Sequence, residues 1–154
     1  LYRPLDGVTR EEFVKLLVEA FDLGADAAQC TFTDAQPDAW YTPYLAAAQQ
    51  AGIVQGDGNG HFGVGDGITR QDAAVMAQRA LDAAGKTLAV GNGTQPFTDE
   101  AQIAPYAVEA VRHMQAAGVL SGMGDGRFAP LEGTNRAQAA KIIYALLQAV
   151  QEEA

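Results

Sequence analysis

GIVQGDGNGHFGVGDGITRQDAAVMAQRAL, Gly52–Leu81, is a glycine-rich loop that runs directly into an amphipathic helix. The same arrangement returns as GVLSGMGDGRFAPLEGTNRAQAAKIIYALL, Gly118–Leu147, and its second half alone opens the chain as YRPLDGVTREEFVKLLVEAF, Tyr2–Phe21. The three copies align on Arg10, Arg70 and Arg136, which lie 60 and 66 residues apart. A period of this length marks a repeat architecture, whose units bury their apolar faces against one another.

The helical half of each copy carries apolar residues at i, i+3, i+4, i+7 and i+8, the stripe of an amphipathic helix. In the first copy these are Phe13, Leu16, Leu17, Ala20 and Phe21. In the second they are Ala73, Met76, Ala77, Ala80 and Leu81, and in the third Ala139, Ile142, Ile143, Leu146 and Leu147. Three matching stripes predict a central three-helix bundle, with Leu17, Ala77 and Ile143 near the shared axis. Gly24 is the predicted cap of the first helix, Gly52 ends a second helix over about Trp40–Ala51, and Gly85 ends the third. A further helix is expected over about Ala104–Ala117, where Tyr106 aligns with Trp40. Phe32-Thr33-Asp34 recurs as Phe97-Thr98-Asp99.

Each bundle helix starts with a capping pattern: Thr9 with Glu12, Thr69 with Asp72, Asn135 with Gln138. Arg10, Arg70 and Arg136 thereby fall at the first helical position. A guanidinium beside the free N–H groups of a helix N-terminus is a candidate anion site for a carboxylate or phosphate. The plainer alternative is a solvated arginine in the first turn.

At 154 residues the chain is long enough for one ordinary domain, and its 48% hydrophobic content is that of a globular protein. A formal charge of −9 argues against nucleic acid as a partner. No run of about 20 apolar residues offers a membrane helix. The chain begins inside a repeat and without Met, which is expected of a fragment or a processed product. Cys30 is alone, and a small buried apolar role is expected for it.

In order, the pieces F-T-D, Trp or Tyr, G-[IV]-x-x-G-x-x-x-G-x-F and T-R-x-[ED] resemble the S-layer homology (SLH) domain. They stand here as Phe32-Thr33-Asp34, Trp40, Gly52-Ile53, Gly56, Gly60, Phe62 and Thr69-Arg70-Gln71-Asp72. They return as Phe97-Thr98-Asp99, Tyr106, Gly118-Val119, Gly122, Gly126, Phe128 and Asn135-Arg136-Ala137-Gln138. The resemblance spans almost all of residues 2–150. It implies an all-α, pseudo-threefold prism with a central three-helix bundle, peripheral helices and glycine-rich loops. The units would be residues 1–29 (the second half of repeat 1), 30–90 and 91–154.

The resemblance also implies a function: noncovalent anchoring at the bacterial cell surface or S-layer, outside the cell, through cell-wall polysaccharide. The ligand implied is a secondary cell-wall polymer bearing pyruvylated N-acetylmannosamine. Peptidoglycan of a Gram-negative wall is the alternative. A covalently linked passenger outside this chain is expected, with no cofactor and no membrane insertion. Arg10, Arg70 and Arg136 would meet the ketal carboxylate, beside Thr9, Thr69 and Asn135 of the same motif. Asp34 and Asp99 would bind sugar hydroxyls, or else cap the following helices. Trp40 and Tyr106 would stack on sugar faces, or else pack in the core or at its rim. Gly56 and Gly122 would admit backbone approach, and Phe62 and Phe128 read as core plugs. Because the first copy lacks its front half, Arg10 is expected to face the unfinished groove and Arg70 the most complete one.

Two rival chemistries fit the residues poorly. Asp57-Gly58-Asn59 resembles the start of a dockerin or EF-hand calcium loop, but Phe62 and Ile68 stand where that loop needs Gly and Glu, so no metal is expected. His61, His113, the sole serine Ser121 and Cys30 fall into no catalytic pattern. Asp34 and Asp99, at equivalent repeat positions, read as two copies of one role rather than a glycosidase pair. The chain is not expected to be an enzyme.

Overall fold

The computed structural model describes residues 3–24, 30–55, 59–88 and 94–151. They form five helices: α1 (Arg10–Ala20), α2 (Thr42–Gln50), α3 (Arg70–Ala83), α4 (Val108–Ala116) and α5 (Arg136–Gln151). Two 3₁₀ turns, Glu100–Gln102 and Pro105–Ala107, lead into α4. The all-α expectation holds, with no strand among the described residues.

What joins the units is a closed ring of backbone hydrogen bonds just ahead of the three long helices. Val8 N–H donates to Thr134 O, Thr134 N–H to Ile68 O, and Ile68 N–H to Val8 O, each at 2.9 Å. All three side chains are buried beneath this ring. A second set runs the opposite way round. The amides of Arg10, Arg70 and Arg136 donate to Asp66, Glu132 and Asp6 carbonyls respectively, all at 2.9 Å. Each bundle helix is thus seated on the loop of the next unit, and the N–H groups that a helix leaves without internal partners are used there.

Helix α1 packs against both α3 and α5, while α2 lies on α1 and α4 lies on α3. No described helix lies on α5 in the corresponding way. The stripes record this asymmetry. Every stripe residue of α3 is buried, including Ala77. Leu17 is fully buried, but Leu16 is exposed, and Ile143 and Leu147 are only half-buried. Ile142 and Leu146 take the core positions on α5 that the spacing gave to Ile143. Cys30 is likewise half-buried against the core.

Helix ends differ in detail from the reading of the sequence. Gly52, Gly85 and Gly118 follow the C-caps of α2, α3 and α4 with φ of 82°, 69° and 78°, as a left-handed terminator requires. In α1 that place belongs to Asp22 (φ 50°), two residues before Gly24, with Leu23 N–H closing onto Val18 O at 3.0 Å. α2 starts at Thr42, so Trp40 sits in the turn before it, and the expected helix at Ala104 begins as a 3₁₀ turn at Pro105.

Candidate functional site

The first groove lies where α1, the Phe62–Gly67 loop, α3 and Tyr106 meet, and encloses about 870 Å³. Arg10 lines it, with 20% of its side chain exposed. Its Nε donates to Phe62 O at 3.0 Å, its guanidinium lies 4.9 Å from the Phe62 ring centre, and Nη1 donates to Asp72 Oδ2 at 2.8 Å. Tyr106 O–H donates to the other Asp72 oxygen at 2.6 Å, and Gln71 Nε2 reaches the same hydroxyl at 3.4 Å. Burial, then the hydrogen bond and charge of Asp72, push the Tyr106 phenol up to about 12, so it stays a donor at neutral pH. Asp34, His61, Asp66 and Arg79 complete the polar wall.

Asp34 and Asp99 neither cap a helix nor point at open solvent. Asp34 accepts from the amides of Phe62, Gly63 and Val64 at 2.8–2.9 Å, and Asp99 from those of Phe128 and Ala129 at 2.9 Å. Burial would raise the Asp34 carboxyl, but the backbone donors outweigh it and hold it down at about 2. Asp99 is lowered against the same opposition. These carboxylates latch the glycine loops. The loops' aromatics, Phe62 and Phe128, are buried against Phe32 and Phe97 at ring distances of 5.4 and 5.1 Å, as core plugs should be.

The three arginines are not equivalent. Each reaches the loop of the next unit, so their surroundings depend on that unit. Arg70 is only 6% exposed and is spent on the protein: Nε donates to Phe128 O at 2.7 Å and Nη2 to Ser121 O at 2.8 Å, above the Phe128 ring. Burial lowers its pKa, while Glu132 and Asp99 oppose that. Arg136 is 46% exposed and meets Glu12 Oε2 at 3.2 Å. Among the described residues it has no loop carbonyl like that of Phe62; by alignment the place falls at Tyr2, outside the described residues. Arg70, expected beside the most complete groove, is covered by its neighbouring loop, and Arg10, expected at an open one, has the Phe62 loop beside it. Arg10 is partly open beside that loop, Arg70 is sealed, and Arg136 faces a second groove.

That second groove, about 770 Å³, is the first one turned by a unit, with Glu12, Leu16 and Trp40 in the places of Asp72, Met76 and Tyr106. Ile143, Tyr144 and Leu147 of α5 form its apolar side. Trp40 and Tyr106 are 53% and 61% exposed, and rim residues rather than core. Tyr41, next to Trp40, is the buried one.

Thr9, Thr69 and Asn135 are helix caps, accepting from the amides of Glu12, Asp72 and Gln138 at 3.2, 3.3 and 2.8 Å. The amides of Arg10, Arg70 and Arg136, and those of Gln71 and Ala137, are likewise engaged internally. Gly122 is required by its own loop: a Cβ there would stand 2.7 Å from Arg127 O and 3.1 Å from the Phe97 ring. Gly56, with Asp57 of the calcium-like stretch, lies outside the described residues. Among those described, no three metal-type side chains gather. His113 contacts Gln78 between helices, and Ser121 contributes its carbonyl to Arg70. Asp72 and Arg79, which the motif reading passed over as site residues, were signalled only by their positions in the first and third turns of α3.

Residues 31–74 and 96–140 match the S-layer homology domain. The chain belongs to the SLH family. An endoglucanase of Bacillus sp. (strain KSM-635) is 33% identical over 146 residues, covering 95% of this chain and 15% of the endoglucanase. Exoglucanase XynX of Acetivibrio thermocellus is 32% identical over 147 residues, 96% of this chain and 13% of the relative. S-layer protein EA1 of Bacillus anthracis is 29% identical over 143 residues, 92% and 16% respectively. The chain thus spans a small part of the relatives it matches. An SLH stretch shared by glucanases and S-layer proteins is a non-catalytic, cell-surface anchoring module, and the enzyme names belong to the larger proteins. No described helix is long and apolar enough to cross a membrane.

Proposed function

We propose that this SLH module anchors a passenger to the outside of the cell by holding an acidic cell-wall saccharide in the groove of Arg10. The observation that carries the reading is Arg10 itself. It is the arginine of the repeated motif that combines a finished neighbouring loop with partial exposure in a groove large enough for sugar rings. Its guanidinium suits the carboxylate of a pyruvate ketal, such as that of pyruvylated N-acetylmannosamine in a secondary cell-wall polymer. The exposed Tyr106 ring offers a face for a sugar, and Trp40 offers one in the second groove. The three repeat units, residues 1–29, 30–90 and 91–154, would act as one module.

The decisive experiment is retention on purified cell walls, intact, after chemical removal of pyruvate, and after extraction of the secondary polymer. Retention should fall at each step, and Arg10→Ala should lose about 1.5–3 kcal/mol of binding, as for a charge-assisted hydrogen bond. Undiminished retention on stripped walls would point instead to peptidoglycan and end the carboxylate reading.

A further inference from the structure

The acid at the third helical position behaves differently in α3 from its two counterparts. Glu12 bends back to the Thr9 amide at 2.9 Å, and Gln138 to the Asn135 amide at 2.9 Å, closing the capping box in both helices. Asp72 is one methylene shorter than Glu12. Thr69 still caps the Asp72 amide, but no return bond closes the box. Freed from that duty, the Asp72 carboxylate extends into the groove wall and takes Arg10 on one oxygen and Tyr106 on the other.

Arg10 cannot turn away from this partner. Its Nε is tied to Phe62 O and its plane rests on the Phe62 ring. Gly63 closes the other side, where a Cβ would stand 3.1 Å from Arg10 Cδ. A ligand carboxylate must therefore come to a fixed guanidinium on which a carboxylate of the protein already sits. We infer that Asp72 is a built-in competitor for the acidic group of the ligand, setting a threshold that only a well-placed carboxylate crosses. The inference rests on the reading of the Arg10 groove given above. When Arg10 is yielded to the ligand, Asp72 keeps the Tyr106 hydroxyl, so the displaced carboxylate is not left without a donor. Neutral sugars, which have no anion to exchange for Asp72, gain little at this position.

Isothermal titration with a pyruvate-ketal-bearing N-acetylmannosamine saccharide, and with the same saccharide after removal of the ketal, separates the possibilities. Asp72→Asn keeps the side-chain shape and should raise affinity for the ketal saccharide about fivefold, the scale of one partly exposed ion pair. Its affinity for the ketal-free saccharide should not change. Tyr106→Phe, which removes the donor that holds the displaced carboxylate, should weaken ketal binding in the presence of Asp72 and have little effect beside Asp72→Asn. Unchanged or lower ketal affinity in Asp72→Asn, with Arg10→Ala still weakening binding as expected above, would make Asp72 a positioning residue and overturn the inference while leaving the function intact. Full ketal binding in Arg10→Ala would remove both.

Discussion

Replacing Asp34 by Asn tests the claim that this residue is a loop latch. Three amides, those of Phe62, Gly63 and Val64, converge on its two oxygens at 2.8–2.9 Å. An Asn side chain keeps one acceptor oxygen and turns an NH₂ group towards donors, so at least one amide loses its partner. The carboxyl is held near 2, against an ordinary 3.8. Each pKa unit corresponds to about 1.4 kcal/mol; after allowance for solvent screening of a partly exposed group, the latch contributes about 1–2 kcal/mol. Because the folded pKa is depressed, that contribution is complete above about pH 4 and is lost as pH falls towards 2. Urea melts of the parent protein and Asp34→Asn at pH 7 should therefore differ by about 1–2 kcal/mol, and the difference should shrink steadily between pH 4 and 2. Equal stability at pH 7, or a difference indifferent to pH over that window, would refute the latch.

Three further outcomes are expected from thermal or urea denaturation. Thr134→Val should stabilise the fold by about 1 kcal/mol, because Thr134 Oγ1 is buried without a partner where the other units carry Val8 and Ile68; a loss of stability would mean the hydroxyl has a role. Asp22→Gly should add about 0.5–1 kcal/mol by relieving a left-handed residue at the end of α1, as the glycines do in α2, α3 and α4. Arg70→Ala should cost about 2–4 kcal/mol of folding stability by orphaning the carbonyls of Phe128 and Ser121, whereas Arg136→Ala, an exposed ion pair, should cost less than about 1 kcal/mol; similar losses would contradict their different burial.

Much of the fold is legible in the sequence because the repeat supplies the same information three times. Matched stripes locate the long helices, and the capping residues fix their starts at Arg10, Arg70 and Arg136. Local patterning fails where tertiary partners decide. Ile142 and Ile143 are equally apolar, and only the bare side of α5 sets which of them enters the core. Asp34 and Asp99 have the composition of helix caps, yet their partners lie 28–30 residues away in loops. The site was half legible. The repeated arginine marks the same position at the start of each bundle helix, but whether it is open or sealed depends on contacts 51–58 residues distant, which no local signal carries.

The offset between each helix and the loop that receives it decides which unit completes which arginine. Here α1 rests on the loop after α2, α3 on the loop after α4, and α5 returns to the residues ahead of α1. Arg10 is consequently completed by unit two and Arg70 by unit three, while Arg136 must look back to unit one. The ring of Val8, Ile68 and Thr134 amides holds this order with residues next to the bundle helices alone. The bundle and the grooves are thus separable: the ring and the stripes carry the fold, while the glycine loops and their aspartate latches decide which arginine remains open to a ligand.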